Sequence, residues 1–398
     1  MRRNPRHIDT SWIDRNGALL CLGLVLLAGV FYDDPNFSVY KRMAYSLFAY
    51  LSLFVILYFQ RDKKNTLGDG VGSTVNRMLN IYIVFIFLNL VFTYYIGPVK
   101  AVTLFNHPLA FMAALTPLAI VVGARAEDRQ VWVVFLLAIV FILLSFELPK
   151  LSKTPYFIGY GCSSVLIPMF AMSLKNRKHV VFAAIMLAVG IAYSLVSEYR
   201  IIALRILMFI PMLAGFWLIR RAYVFKLIML VVTLVSVIYV VINIEAALAM
   251  FSDLAGRSNV DHTDTRTFLF EEFFTDMRPF ELITGRGYLG SYFSPYFMNL
   301  MHQGDMSDFY QRFSIEVGVM ELMLKGGVFY LLLSFAPILY VAFKGVLDDR
   351  YPLYVFAMSI YLFVEFIASF IENIPGFDLR TVLMYFMAGT IIKKMKTI

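Results

Sequence analysis

Charge is scarce in this chain: Asp, Glu, Lys and Arg make up only 16% of its 398 residues, where a soluble domain carries about a quarter. Hydrophobic residues make up 60% and mean hydropathy is +0.73. Water cannot be the main solvent of such a chain. Cysteine is nearly absent as well. Cys21 and Cys162 both lie inside apolar runs with no partner at metal-ligand spacing, so they read as packing residues rather than ligands or a disulfide. A Walker A sequence is missing, and Gly285-Arg286-Gly287 followed by Gly290 lacks the strand, helix and spacing of a dinucleotide fingerprint. No His/Cys/carboxylate cluster has convincing metal spacing. Nothing in the chain points to a cofactor or to nucleic acid.

What is present is a series of apolar runs of about the length needed to cross a bilayer. They fall near 17–32, 43–59, 78–97, 101–124, 131–147, 157–174, 180–196, 201–219, 227–244, 315–343, 352–371 and 381–392. The expected fold is therefore an all-α polytopic membrane protein with about 12 transmembrane helices in a single membrane domain, 1–398. One large loop, 245–314, separates the ninth span from the tenth. The first run follows a charged head, Met1 to Arg15, with no small-residue cleavage site after it, and is expected to be a retained helix rather than a signal peptide.

An excess of Lys and Arg marks the cytoplasmic side of short loops. With the N-terminus inside, most of the 35 Lys and Arg fall on that side, in the head (Arg2, Arg3, Arg6, Arg15) and around 61–77, 125–129, 175–178, 220–226, 344–350 and 393–396. Both termini are then cytoplasmic, and 245–314 is extracytoplasmic. Positive charge on the other side is concentrated at Arg200, Arg205, Arg257, Arg266, Arg278, Arg286, Arg312 and Lys325. Pairing with Asp261, Asp264, Glu271 and Glu272 accounts for part of that cluster. It fits Arg200 and Arg205 poorly. Ser197-Glu198-Tyr199-Arg200 is a short connection between two hydrophobic runs, and Arg205 follows inside the next one. Arginine at such depth normally faces a polar cavity or a partner, so a ligand or carboxylate should be nearby. Guanidinium groups bind phosphate oxygens through paired, charge-assisted hydrogen bonds. A lipid-linked pyrophosphate, with its tail between helices and its head group at the interface, is the natural ligand.

The segment 245–327 carries most of the remaining information. Gly256 to Arg266 is polar and turn-like. Thr267 to Met277 places Phe268, Phe270, Phe273 and Phe274 at helix-compatible spacings and predicts a helix lying in the interface. Thr284-Gly285-Arg286-Gly287-Tyr288 reads as a glycine-rich turn, either one that lets backbone approach a ligand or a plain flexible turn. Arg312 and Glu316, four residues apart, are expected on one face of the helix that returns to the membrane, as a salt bridge. Lys325-Gly326-Gly327 should loosen or kink that helix.

At these residues the chain resembles the bacterial O-antigen polymerase and O-antigen ligase superfamily, integral membrane glycosyltransferases that use undecaprenyl-pyrophosphate-linked sugars. Three features carry the resemblance, over roughly residues 190–340. Ser197 to Arg200 before an apolar helix is similar to the family's serine-arginine motif. Arg266, an aromatic stretch and Thr284 to Tyr288 are similar to its loop pattern, and Glu316 to Gly327, especially Glu316, Glu321 and Lys325-Gly326-Gly327, to its return motif. There is one departure. Ligases of the superfamily open the return helix with histidine and asparagine, where this chain has Glu316 and Val317; His302 lies fourteen residues earlier.

The resemblance implies a GT-C-like fold in the bacterial inner membrane, with a periplasmic loop at 245–314. It also implies metal-independent transfer of a growing undecaprenyl-pyrophosphate-linked glycan onto a lipid-linked repeat unit. Arg200 and Arg266 would hold the pyrophosphate, with Arg205 and Arg286 as further candidates. Glu316 would act as base or orient the acceptor, held by Arg312, with Asp308 and His302 as alternatives. Tyr288, Tyr292 and Tyr296 are candidates for stacking on sugars, although interface placement explains them as well. Expected partners are the lipid-linked oligosaccharide, membrane lipids and a chain-length regulator protein. A ligase transferring glycan to lipid A core, and a lipid-linked oligosaccharide flippase or other transporter, are the alternative readings. Against a transporter, the chain shows no internal repeat.

Overall fold

The computed structural model describes residues 11–31, 39–95, 112–147, 155–197, 200–219, 222–224, 226–228, 231, 235, 267–295, 311–315, 317–370 and 377–397. Apolar runs in this chain become helices because helix formation satisfies every backbone donor and acceptor where water is excluded. The first helices are α1 (Ser11–Phe31), α2 (Val39–Gln60), a short α3 (Lys63–Leu67) and α4 (Val71–Tyr95). A 3-10 turn at Thr116–Leu118 feeds α5 (Ala119–Arg125), followed by α6 (Asp128–Glu147), α7 (Pro155–Ser173), α8 (Arg177–Ser197) and α9 (Arg200–Leu218). Two shorter helices, α10 (Thr267–Asp276) and α11 (Pro279–Thr284), precede strands β1 (Tyr292–Phe293) and β2 (Gln311–Arg312). The long α12 (Gly318–Leu347), α13 (Leu353–Ala368) and α14 (Leu379–Lys396) complete the described chain.

Among the described residues, four stretches are long and apolar enough to cross a membrane: Trp12–Gly29, Met43–Gln60, Val71–Thr93 and Gly318–Leu347. Shorter apolar helices cover Met112–Arg125, Ser164–Ser173, Lys178–Ser194, Ala203–Leu218 and Leu353–Ala368. Their outward faces are apolar too. Phe54 is 70% exposed, Phe87 64% and Val181 66%, an arrangement that lipid tolerates and water does not. The chain is a multi-pass membrane protein. Among the spans read from sequence, 43–59, 131–147, 180–196 and 381–392 fall wholly on described helices, and 17–32, 78–97, 157–174, 201–219, 315–343 and 352–371 do so over most of their lengths. The first half of 101–124 and nearly all of 227–244 lie outside the described residues.

The bundle closes around α14, whose residues from Leu379 to Ile392 are all buried. Its N-terminus is capped by Asp378, which accepts from the Thr381 amide at 2.7 Å. Without a hydrophobic drive between helices in lipid, close packing decides association. A Cβ on Gly123 of α5 would lie 1.8 Å from the Phe386 carbonyl oxygen, and one on Gly389 of α14 would lie 1.9 Å from that of Ile120. Backbone therefore meets backbone where α5 and α14 cross. Cys21 is buried with its Sγ 3.5 Å from Ser52 Oγ, as expected of a packing residue.

The basic residues read from sequence as cytoplasmic come together at one end of the bundle. Arg61 reaches Asp14 at 3.2 Å, Arg125 reaches Asp62 at 3.0 Å, and Lys175 reaches Asp128 at 2.8 Å. Lys393 donates to the carbonyls of Arg125 and Ala126 at the end of α5, a favourable place for a cation on a helix C-terminus.

One expectation about the return segment needs correction. Arg312 is not helical, and its expected salt-bridge partner Glu316 lies outside the described residues. Arg312 sits in β2, paired antiparallel with Tyr292 of β1, and α12 begins only at Gly318 behind the extended Val317. A spacing of four residues suits a helix, but pairing with a strand distant in sequence overrides it here. The described chain is thus helical apart from this two-residue strand pair. The kink at Lys325-Gly326-Gly327 is present: Gly326 (φ −152°, ψ 19°) and Gly327 (φ 68°, ψ −167°) both leave helical geometry inside α12.

Candidate functional site

At the end of the bundle opposite the cytoplasmic-type charges, α10, α11 and the two strands form a small unit with its own core. Leu269, Phe273, Met277 and Tyr292 pack there with Ile315, Val317, Met320 and Leu324 at the start of α12. The aromatic face of α10 that the sequence assigned to the interface is thus partly turned into protein: Phe273 is buried, while Phe274 is 50% exposed.

The glycine-rich turn docks onto the break in α12. The Arg286 amide donates to the Leu324 carbonyl at 2.7 Å, one of the carbonyls that the break leaves without a helical partner. Gly285 has φ 70° and a Cβ there would lie 2.4 Å from the Gly326 nitrogen; one on Gly327 would lie 2.0 Å from the Ile283 carbonyl oxygen. Only glycine fits either position, through conformation and contact alike. The expected close approach is therefore to the chain's own backbone. α4 supports the same joint. Asn89 Nδ2 donates to the Lys325 carbonyl at 3.2 Å, and Thr93 Oγ1 accepts from the Tyr288 amide at 3.0 Å. Lys325 ties the parts together, donating from Nζ to the carbonyls of Gly290 (2.9 Å) and Phe313, with Glu321 Oε1 3.8 Å away. Glu321 in turn accepts from the Ile315 amide at 2.8 Å.

Arg286, one of the arginines considered for pyrophosphate, is occupied within the loop. Its guanidinium donates to Asp276 Oδ2 (2.5 Å), Glu281 Oε2 (2.8 Å), and the carbonyls of Ser291 and Asp276 (both 2.8 Å). Partial burial opposes the charge on both Arg286 and Glu281, but the paired contacts outweigh it. Glu281, which also accepts from the Arg278 amide, is held below the usual carboxylate range, and Arg286 rises above its already high value. Four acceptors on one guanidinium make Arg286 a pin that fixes the turn. Tyr288 is likewise turned inward, fully buried with its hydroxyl donating to the Ile86 carbonyl at 3.3 Å and its ring against Tyr330. Tyr292 is buried and lies 3.4 Å from Arg312 Nη1. Stacking on sugars is closed to both rings in this arrangement.

Arg205 meets the carboxylate that its depth called for. Within the bundle its Nη2 lies 3.4 Å from Glu365 Oε2 of α13, both side chains being 3% exposed, and Ser164 of α7 contacts both. This pair sits close to the return of the chain, because the Ser369 amide bonds the Glu365 carbonyl and the Ser369 carbonyl accepts from the Val319 amide. Glu365 was missed in the sequence. Its signal was available: a lone carboxylate inside an apolar helix is costly unless partnered. Arg200 is the first residue of α9; its side chain, together with Arg266, His302, Asp308, Glu316 and Tyr296, lies outside the described residues.

No family model, curated protein or solved structure matches the chain.

Proposed function

We propose that the chain is a polysaccharide repeat-unit polymerase of the bacterial inner membrane. It spans that membrane about twelve times in a GT-C-like arrangement and works at the periplasmic face, where its 245–314 loop lies. The observation that carries this reading is the docking of Thr284–Tyr288 onto Lys325–Gly327. Two of the motifs behind the resemblance, about forty residues apart, form one joint, in the same part of the structure as Arg278, Arg286 and Arg312. Such a joint holds a loop over the mouth of the bundle as a built surface.

In the proposed reaction Arg200 and Arg266 clamp the donor pyrophosphate, with Arg205, paired with Glu365, as a further candidate. An acceptor hydroxyl on the next lipid-linked repeat unit attacks the donor's anomeric carbon. The bond from that carbon to the pyrophosphate oxygen breaks, and undecaprenyl pyrophosphate leaves with the electron pair, stabilised by the guanidinium charges. Glu316 takes the hydroxyl proton. Departure from histidine-asparagine at Glu316-Val317 favours the polymerase over the ligase.

A deletion strain separates the readings on a polysaccharide gel. A single repeat unit capping the lipid core marks a lost polymerase, and accumulated lipid-linked polymer marks a lost ligase. In vitro extension of a purified lipid-linked repeat unit then tests the base: Glu316→Gln should lower turnover about a hundredfold or more with binding retained. Near-normal turnover would remove Glu316 from proton transfer.

A further inference from the structure

At the opposite end of the bundle a cavity of about 380 Å³ opens between the N-terminal turn of α6, the α7–α8 connection, the start of α13 and the end of α14. Lys175, Lys394, Asp128, His179, Trp132 and Tyr354 line it. Lys175 Nζ lies 2.8 Å from Asp128 Oδ2, and Lys394 binds the other oxygen of the same carboxylate. Two ammonium groups thus share one acceptor. Each keeps donors to spare. Trp132 lies against His179 with ring centroids 5.1 Å apart, and Lys175 Nζ is 5.9 Å from the centroid of Tyr354. Around the cavity, exposed Arg129 and Lys178 stand against exposed Glu127, leaving the neighbourhood cationic.

Five helix ends meet here, so the cavity lies at the level where apolar helix gives way to polar loop. That is the depth of lipid phosphates. Trp and Tyr are the aromatic residues suited to this depth, and basic pockets between helix ends recognise anionic head groups there. We propose that this cavity binds the phosphodiester head group of an anionic membrane lipid. The ammonium groups of Lys175 and Lys394 donate to phosphate oxygens, and the rings of Trp132 and Tyr354 flank the glycerol. Asp128 holds the two lysines at a common point before the lipid arrives and competes with the phosphate for their protons. The assignment rests on the chain being a membrane protein; it is independent of the proposed glycosyl transfer and of which face is cytoplasmic.

The test uses the full chain in neutral-detergent micelles doped with phosphatidylglycerol or phosphatidylcholine, with the thermal unfolding midpoint as readout. Phosphatidylglycerol should raise the midpoint in a saturable way and phosphatidylcholine should not. Lys175→Gln with Lys394→Gln should raise the half-saturating phosphatidylglycerol fraction by about tenfold or more, the scale of one lost charge-assisted contact. Lys178→Gln, a neighbouring exposed lysine, should leave it unchanged. Asp128→Asn keeps the side chain's shape while removing the competing charge, and should tighten phosphatidylglycerol binding severalfold, whatever the lysine variants do to folding. Equal shifts with the two lipids, an equal loss in Lys178→Gln, or weaker binding in Asp128→Asn would overturn the proposal. A full shift with inorganic phosphate alone would assign the cavity to a soluble anion and overturn the lipid source.

Discussion

Gly327→Ala probes the joint between loop and bundle most directly. At φ 68° and ψ −167° an alanine stands in a region open essentially to glycine, at a cost of about 1–3 kcal/mol. Its Cβ would also lie 2.0 Å from the Ile283 carbonyl oxygen, so α11 and the break in α12 must separate. Separation of the turn from that break loses two hydrogen bonds, Arg286 N–H to the Leu324 carbonyl and Lys325 Nζ to the Gly290 carbonyl, each contributing about 1 kcal/mol. Together these give about 3–5 kcal/mol, confined to the joint. The assay is hydrogen–deuterium exchange of a peptide covering 284–290 in detergent. A loss of about 4 kcal/mol in local opening free energy raises exchange at the Arg286 amide roughly a thousandfold, while peptides from α5 and α14 stay protected. Wild-type protection at 284–290 in Gly327→Ala would refute the reasoning, because it would mean that the loop is not held by this contact.

Further outcomes follow from the other charged groups. Glu281 is held below its ordinary value, so its contribution to loop docking is present above the unfolded carboxylate range near 4 and disappears as pH falls through the lower folded value; the protection of 284–290, measured relative to intrinsic exchange at each pH, should be flat from pH 6 to 8 and fall only in acid, and a midpoint near neutrality would count against the Arg286–Glu281 pin. Removing one member of the buried Arg205–Glu365 pair, as in Glu365→Ala, should destabilise the bundle by about 3–5 kcal/mol. Arg205→Met with Glu365→Leu should recover most of the unfolding midpoint without recovering polymer, and recovery of both would make the pair structural only. In a cysteine-free background, cysteines at 260 and 300 should react with an impermeant thiol reagent in intact cells and cysteines at 65 and 127 should not; the reverse pattern would invert the proposed orientation.

Where the sequence was legible, one physical rule acted over a short window. Uninterrupted apolar runs located the helices, because a backbone in lipid has few other ways to satisfy its polar groups. The Gly326-Gly327 break was visible for a local reason too. Contacts closed over long sequence distances were not visible. Arg312 was read as helical because four residues of spacing suit a helix, whereas its pairing with Tyr292 depends on a strand twenty residues upstream. Arg286 was read as facing a ligand because its partners Asp276 and Glu281 are brought round only when α10 and α11 fold against each other. Arg205 did announce a partner by its depth, yet choosing Glu365 required knowing that α9 and α13 are neighbours.

The Lys325 ammonium, bonded to carbonyls on both flanks of the 296–310 interval, has a topological consequence. Strand β1, the glycine turn and α11 belong to chain that precedes the interval; β2, α12 and the lysine belong to chain that follows it. Their mutual grip does not depend on the peptide linking them. A protease site inserted between 295 and 311 would nick the polypeptide into two pieces that travel together through purification, the second half wearing the end of the first as a clasp.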